Sequence, residues 1–316
     1  MASEFELIAA LRRRLPATGP TVLLGPGDDA ALIQPPPGQG QVLSTDTLVA
    51  DRHFPAGLAP ALLAWRSLAV NLSDLAAMGA EPGPLLIALT APDLTPAWID
   101  GFCEGVLACL AAHAPSATLV GGNLARGPLQ VSVTVTGWVL PAQALLRSGA
   151  KVGDRIFVSG VLGAGLAGRE ALDASGLASA ELTLSAVSPA FAPYLTPEPR
   201  VGLGLALRGK ATACIDISDG LAAELGHLAD ASGVGMRLDS EAVPREGTLE
   251  AALTGGDDYE LLFTLPPAEA TAEKLAALAA KGGVAIQEIG LCEAEAGLRG
   301  LPPLGGQAGW DHFSQP

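Results

Sequence analysis

Basic residues are scarce in this chain of 316 residues. Lys and Arg number 18 against 33 Asp and Glu, which gives a formal net charge of −15. Proteins that bind duplex nucleic acid need a basic patch to displace counterions, so this balance argues against a nucleic-acid partner. Long apolar runs are also missing, since no stretch reaches the roughly 18 to 20 residues that a membrane span requires. We therefore expect neither a nucleic-acid nor a membrane partner.

Cysteine is rare as well. Cys103, Cys109, Cys214 and Cys292 lie in apolar stretches without CxxC spacing, so we expect buried free thiols. The sequence has no Cys/His zinc pattern and no GxSxG motif, which excludes zinc hydrolases and the commonest serine hydrolases. The N-terminus lacks the cationic start and apolar core of a secretion signal. Together with unpaired thiols, this predicts a cytoplasmic protein.

The chain is long enough for two packed domains, and 49% of its residues are hydrophobic. Strand and helix patterns alternate, which predicts a mixed α/β fold. A break rich in Gly and Pro covers residues 140–153 and precedes a new strand. We therefore place a domain boundary near residue 145, with domains of 1–145 and 146–316.

Periodicity predicts several elements with definite bounds. Helices are expected over residues 60–78 and 96–113, the second with Thr95 as its cap. Strict alternation predicts a strand over 130–139, whereas the segment GGNLARG at 121–127 is expected to be a turn.

Three acid-rich motifs are the most informative feature that the chain does contain. They are GPGDDA at 25–30, STDT at 44–47 and DISDG at 216–220. Packed carboxylates repel one another, so such motifs beside apolar strands favour a divalent cation, and oxygen ligands select Mg²⁺, Mn²⁺ or Ca²⁺ over Zn²⁺. A hairpin turn or a capping role explains the first two motifs equally simply. Capping does not explain Asp216, which lies in an apolar strand.

Further candidates carry the same ambiguity. Asp74 lies on the polar face of the predicted helix 60–78, where a single acid is commonly solvated, but its apolar neighbours favour a functional role. The GGDD segment at 255–258 is typical of a turn or of a site. His53 is an exposed loop residue or a substrate contact, and Arg147 forms a surface ion pair or binds phosphate.

One nucleotide-binding signature is present but incomplete. Residues 163–168 read GAGLAG, which fits GxGxxG after a predicted strand. The second strand ending in an acid about twenty residues later is not evident, so a dinucleotide site is disfavoured.

The motifs also occur in a distinctive order along nearly the whole chain: GPGDDAAL, STDTLV, AVNLSDLAAMGAEP, LVGGN, LRSGAKVGD, IDISDGL, GGDDYEL and GWDHF. In this order they resemble the thiamine-monophosphate kinase family, which lies in the superfamily of aminoimidazole ribonucleotide synthetase. The resemblance implies two α/β domains. It also implies that the N-terminal sheet joins its twofold mate into a barrel across a homodimer.

The resemblance implies a reaction too, the transfer of the γ-phosphoryl group of ATP to thiamine monophosphate with the help of several Mg²⁺ ions. By the family pattern, the metal ligands would be Asp29, Ser44, Thr45, Asp46, Asp74, Asn123, Asp216 and Asp219. ATP would be bound by Gly122, Asn123, Arg147 and Ser218, and the substrate by His53, Asp257 and Trp310. Asn123 stands where the family has Asp, which puts one metal in question, and Asp257 replaces Glu.

The chemistry agrees with these residue types. Two phosphates must meet, and two unit charges about 4 Å apart repel by roughly 1 kcal/mol in water but about 4 kcal/mol at an effective dielectric constant near 20. A phosphate oxygen is already ionised at neutral pH, so no strong general base is required. Two alternatives stay open: a superfamily enzyme that uses ATP on another small molecule, and an inactive metal-binding dimer.

Overall fold

The computed structural model describes residues 4–15, 18–304 and 309. The first half of the chain contains, in order, α1 (Glu4–Arg14), β1 (Val22–Leu24), β2 (Leu32–Ile33), β3 (Gly40–Val49), α2 (Pro60–Ala77), β4 (Glu81–Ala91), α3 (Pro96–His113), β5 (Leu119–Arg126) and β6 (Gln130–Val139).

The second half contains β7 (Arg155–Ser159), α4 (Ala164–Ser175), α5 (Ala192–Leu195), α6 (Val201–Leu207), β8 (Ala213–Asp216), α7 (Leu221–Ser232), β9 (Gly235–Leu238), α8 (Leu249–Thr254), β10 (Leu261–Leu265), α9 (Ala272–Gly282), β11 (Ile286–Glu293) and β12 (Gly297–Arg299). Short 3₁₀ turns lie at Pro141–Gln143, Ser179–Glu181 and Leu184–Ala186.

Helices α2 and α3 begin as their sequences predict. Each has proline in its first turn, where the missing N–H costs nothing. The side chain of Thr95 accepts a hydrogen bond from the backbone N–H of Trp98, which confirms the predicted cap of α3. Helix α2 is buried on nearly every side, and its polar residues Arg66, Asn71 and Ser73 are at most 3% exposed. The polar face predicted for this helix is therefore not solvated.

The N-terminal sheet has the strand order β3-β6-β4-β5, in which β4 and β5 run parallel and the other pairs are antiparallel. The predicted turn at 121–127 is wrong, because residues 119–126 form strand β5 and pair with β4. Its two glycines favoured a turn over a strand. Gly122 is needed in the strand because the chain packs too closely there for a side chain: a Cβ would lie 1.8 Å from the carbonyl oxygen of Ile87.

The C-terminal sheet has six strands in the order β12-β9-β11-β7-β10-β8. Strand β8 lies at one edge, pairs with β10 and ends at Asp216. One hydrophobic core joins the two halves: Leu72 and Leu75 of α2 belong to the same cluster as Leu203 of α6 and Phe263 of β10. Helix α2 therefore brings residues of the first half next to the end of β8.

Two further expectations can be compared with the fold. All four cysteines are free and buried, as predicted. Among the described residues, no helix combines the length and apolar character needed to cross a membrane.

Candidate functional site

Two pairs of side chains meet where the halves of the chain pack together. Ser44 Oγ of β3 donates a hydrogen bond to Asp74 Oδ2 of α2 at 2.5 Å. Ser73 Oγ of α2 donates to Asp216 Oδ2, at the end of β8, at 2.6 Å. We call these four residues the acidic junction. Three of them were predicted as metal ligands, and they come from three separate elements.

The carboxylates of the acidic junction are destabilised by their surroundings. Burial raises the pKa of Asp74 to about 7, and the negative charge of Asp216 adds to this effect. Burial also raises the pKa of Asp216, which is only 6% exposed. Asp46 acts in the same direction on both groups, whereas the charge of Arg147 lowers both pKa values. Because negatively charged carboxylates lie close together here and are shielded from water, a bound cation would be strongly favoured.

Strand β3 divides its predicted ligands between two faces of the sheet. Ser44 faces α2, and the backbone N–H of Asp46 donates to Asn71 Oδ1 of that helix at 2.9 Å. Thr45 faces the other way, where its hydroxyl donates to the carbonyl of Val133 and lies 3.1 Å from the hydroxyl of Thr134. Thr45 therefore does not join the acidic junction. Asn71, which the sequence argument left without a role, anchors β3 to α2.

A cavity of about 880 Å³ lies on the face of the sheet that Thr45 occupies. We call it the sheet cavity; α1, the segment 26–33 and strands β4, β5 and β6 line it. Its lining includes Asp29, Gly122 and Asn123, three of the predicted site residues. Arg12 of α1 also lines it and donates a hydrogen bond to the carbonyl of Pro26 at 2.8 Å. The structure thus assigns the predicted ligands to two places.

The DISDG segment continues from the acidic junction into the start of α7. Ser218 is exposed, and its carbonyl accepts a hydrogen bond from the backbone N–H of Asp257 at 2.8 Å. The backbone N–H of Asp219 donates to Glu224 Oε1 at 3.0 Å. Glu224 is 2% exposed, burial raises its pKa to about 8, and its Oε2 has no hydrogen-bond partner among the described residues. Glu224 was not predicted from the sequence, although an acid among the apolar residues of α7 was a usable signal.

The predicted substrate residues His53 and Asp257 both contact Arg66. Nη2 of Arg66 donates to both carboxylate oxygens of Asp257 at 2.7 Å, and its Nε donates to the carbonyl of His53 at 3.2 Å. Trp310 lies outside the described residues. Gly309 is described and lies against the start of α7, because a Cβ there would be 2.6 Å from the Cβ of Ala223 and 3.2 Å from the carbonyl oxygen of Asp219. Arg66 was missed as well, although an arginine inside an apolar helix pattern could have revealed it.

The glycine-rich segment at 163–168 already holds an anion of the protein itself. The backbone N–H groups of Gly163 and Gly165, at the start of α4, donate to the carboxylate of Asp258 at 2.8 and 3.0 Å. Burial raises the pKa of this carboxyl to about 7. An internal carboxylate therefore occupies the helix terminus that a dinucleotide would need, in agreement with the interpretation of this motif.

The acidic junction suits Mg²⁺ in its donor atoms. Within residues 4–15, 18–304 and 309, no three His, Cys, Asp or Glu side chains are arranged as a ready-made metal site. Mg²⁺ is commonly held by one or two carboxylates together with substrate phosphates and water rather than by a cage of protein ligands. Asp74 and Asp216 offer two carboxylates whose raised pKa values a cation would relieve.

Each half of the chain matches a known family of domains. A family model described as AIR synthase related protein, N-terminal domain, matches residues 27–139, and one described as AIR synthase related protein, C-terminal domain, matches residues 151–300. This match agrees with the mixed α/β architecture and with its two-part organisation.

Individual relatives narrow the class. Thiamine-monophosphate kinase from Salmonella typhimurium is 40% identical over 333 aligned positions, which cover 99% of each chain. The crystal structure of thiamine-monophosphate kinase from Stenotrophomonas maltophilia superposes with a TM-score of 0.84 and 39% identity, covering 97% of this chain and 98% of the other. The structure of AaThiL complexed with AMPPCP and TMP gives a TM-score of 0.74 and 30% identity, with 98% and 97% coverage. The chain belongs to the thiamine-monophosphate kinase family, and the resemblance drawn from its motifs is confirmed.

Proposed function

We propose that this protein transfers the γ-phosphoryl group of ATP to thiamine monophosphate and releases thiamine diphosphate and ADP. Relatives that carry this name align over 99% of the chain, and a neighbour with the same fold was solved with AMPPCP and TMP. The observation that carries the proposal is the acidic junction, where half-buried Asp74 and buried Asp216 are aligned by Ser44 and Ser73. Neighbouring carboxylates of this kind would bind divalent cations, which a reaction between two phosphates requires.

The residues of the junction act by positioning and charge. The attacking oxygen belongs to a phosphate that is already ionised at neutral pH, so no side chain has to remove a proton from it. Bound Mg²⁺ would supply the positive charge that lets the two phosphates approach each other. Ser44 and Ser73 restrict the orientation of the carboxylates that would hold it, and Arg147 contributes a cation beside them.

We assign the nucleotide to the sheet cavity together with two residues of the second half of the chain, Arg147 and Ser218. Gly122 and Asn123 line the sheet cavity, whose volume of about 880 Å³ accommodates a ligand of this size. Arg147 and the exposed Ser218 complete the proposed ATP contacts. The remaining proposed metal ligands are Asp29, which lines the cavity, and Thr45, Asp46 and Asp219.

Thiamine monophosphate is assigned to the side of His53, Asp257 and Trp310. Asp257 contributes a carboxylate that is 24% exposed even though Arg66 binds it. The indole ring of Trp310 can stack on the cationic thiazolium, a contact worth roughly 0.5 to 2 kcal/mol. Gly309, the residue before it, lies against Asp219 in support of this assignment.

We also propose a homodimer in which the sheet faces that carry Thr45 meet. Leu43 is 62% exposed and Leu86 is 41% exposed, and strand alternation places both on this face. Apolar side chains exposed on a sheet face are typical of an interface. The unpaired cysteines support a reducing, cytoplasmic location.

The proposal is tested with purified protein, ATP, MgCl₂ and thiamine monophosphate, with thiamine diphosphate and ADP quantified by chromatography. We expect equal amounts of the two products, formed only when all three additions are present. A panel of other small acceptors, including unphosphorylated thiamine, tests the choice of substrate. Turnover of another acceptor without thiamine diphosphate would assign the protein a different substrate, and ADP release that no acceptor stimulates would contradict the kinase altogether.

A further inference from the structure

Arg66 is a buried cation that connects the two halves of the chain. It belongs to α2, eight residues before Asp74, and is 3% exposed. Its guanidinium binds the carboxylate of Asp257 through Nη2 and the carbonyl of Tyr194 through Nη1 at 2.5 Å. It also packs over the ring of Tyr194, with 4.3 Å between Cζ and the ring centroid. Burial by itself lowers the pKa of Arg66, but the negative charge of Asp257 raises it, and the pKa is raised overall. The guanidinium therefore stays charged.

The segment that Arg66 holds is conformationally strained. Asp257 has a φ of 64° and Tyr259 a φ of 54°, in the left-handed region that residues with a Cβ rarely adopt. Such a conformation persists only where the surrounding contacts over-determine it. Hydrogen bonds from Asp257 N–H to the carbonyl of Ser218 and from Tyr259 N–H to the carbonyl of Ile217 provide part of this restraint. The ion pair with Arg66 ties the strained segment to the first half of the chain.

A second predicted substrate residue depends on the same guanidinium. The carbonyl of His53 accepts hydrogen bonds from Arg66 Nε and from the hydroxyl of Tyr194, each at 3.2 Å. The imidazole Nδ1 of His53 accepts a hydrogen bond from the backbone N–H of Val49 at 2.9 Å. This bond ties His53 to the end of β3. One arginine therefore links His53, which it contacts through Nε, to Asp257, which it contacts through Nη2.

We propose that Arg66 is a positioning residue for the phosphate acceptor: it holds His53 and the strained Asp257 at the spacing that thiamine monophosphate requires, without contacting the nucleotide. This inference rests on the proposed function, because it takes the substrate side of the site to be the side of these two residues. Positioning groups act through geometry, and a shift of about 1 Å in a reacting group can cost about 10²-fold in rate. The signature is thus a selective loss at the acceptor side of the reaction.

The test compares Arg66→Met and Arg66→Lys with wild type by steady-state kinetics, varying thiamine monophosphate and ATP separately. Methionine keeps most of the length and removes the charge. We expect the KM for thiamine monophosphate to rise about tenfold or more, while the KM for ATP changes by less than about twofold. Lysine keeps the charge but can satisfy only part of the contacts, so we expect an intermediate KM for the acceptor. The lysine variant also remains informative if the methionine variant folds poorly, because its ammonium group still compensates the charge of Asp257.

Arg208 offers a matched control, since it also joins the two halves through backbone carbonyls. Its Nε bonds to the carbonyl of Gly79 and its Nη2 to that of Trp138, and it touches neither His53 nor Asp257. We expect Arg208→Met to lower thermal stability without changing either KM.

Equal changes in both KM values for Arg66→Lys, or a loss of stability with an unchanged acceptor KM, would overturn the positioning role. If wild type makes no thiamine diphosphate, it is the proposed function that fails. The two failures are therefore distinguishable.

Discussion

The acidic junction and the sheet cavity both contain predicted metal ligands, but they are built in opposite ways. At the junction, Asp216 is buried, Asp74 is half-buried, and each accepts a hydrogen bond from a serine. In the cavity, Asp29 and Asn123 are exposed, and Asn123 lies on a strand beside open space. The first group is oriented before any ligand arrives, whereas the second can adjust to one.

The difference shows where the chain gives up stability for function. Burying two like charges raises their pKa values and works against folding, so the junction is costly unless a cation is bound. Exposed polar residues in the cavity carry no such cost. Substitutions at the junction should therefore separate activity from stability, and substitutions in the cavity should alter binding alone.

The largest effect is expected for Asp74→Asn. We expect the rate to fall by about 10²- to 10³-fold, the loss typical of removing one preorganised electrostatic group. Melting temperature at pH 8 should be equal to or above that of wild type, because the repulsion with Asp216 is gone. Asp46→Asn should lose activity in the same way. Asp230→Asn, an exposed acid on α7, serves as the control with normal activity. Near-normal turnover in both Asp74→Asn and Asp46→Asn would mean that these two acids are structural.

The N-terminal sheet packs against α2 on one face, and we propose that its other face forms the dimer interface. Leu43→Glu places a charge on the face of the sheet cavity, and we expect it to shift the protein from dimer to monomer in sedimentation equilibrium. Leu177→Glu alters a leucine that is 54% exposed elsewhere and should leave the dimer intact. A wild-type protein that sediments as a monomer at micromolar concentration would contradict the dimer directly.

Asn123→Asp adds a carboxylate to the cavity and makes it more like the junction. We expect the Mg²⁺ concentration needed for half-maximal activity to fall by about two- to tenfold, since carboxylates are preferred ligands of this ion. The matched control is Ala125→Asp, which places a carboxylate on the same strand and face but outside the cavity lining. Equal effects of the two substitutions would indicate a general electrostatic influence rather than a ligand.

Asp258 is a half-buried acid outside the junction, and two backbone N–H groups hold its carboxylate. Burial raises its pKa to about 7 from 3.8, so the folded protein holds this proton more tightly than the unfolded chain does. The stability that it contributes is complete below about pH 4 and is lost as the pH rises through about 7.

In melting curves recorded from pH 4 to 8, Asp258→Asn should gain on wild type as the pH rises. We expect the gain to total about 2 kcal/mol or less, a few degrees in Tm. A difference between variant and wild type that is independent of pH would argue against a buried, titrating carboxyl.

Much of the fold could be predicted because local rules applied without competition. The bounds of α3 and β6 agree with the prediction, since a proline, a threonine cap and strict alternation all act within a few residues. The prediction of a turn at 121–127 was wrong because pairing with β4, a strand distant in sequence, outweighs the turn preference of the glycines. Arg66 and Glu224 were missed for a related reason, because their importance comes from burial by elements distant in sequence.

The sequence by itself determined the chemical character of this protein: oxygen ligands in short acidic motifs, few cations and a motif order that identifies its family. Residue types and their spacing along the chain carry that information directly. Only the tertiary structure decided which acids meet. Strand alternation turns Ser44 toward α2 and Thr45 away from it, and packing of α2 against β8 brings Asp74 to Asp216. The physical reason is that electrostatic coupling depends on distance through space and on burial, and both are set by packing between elements far apart in the chain.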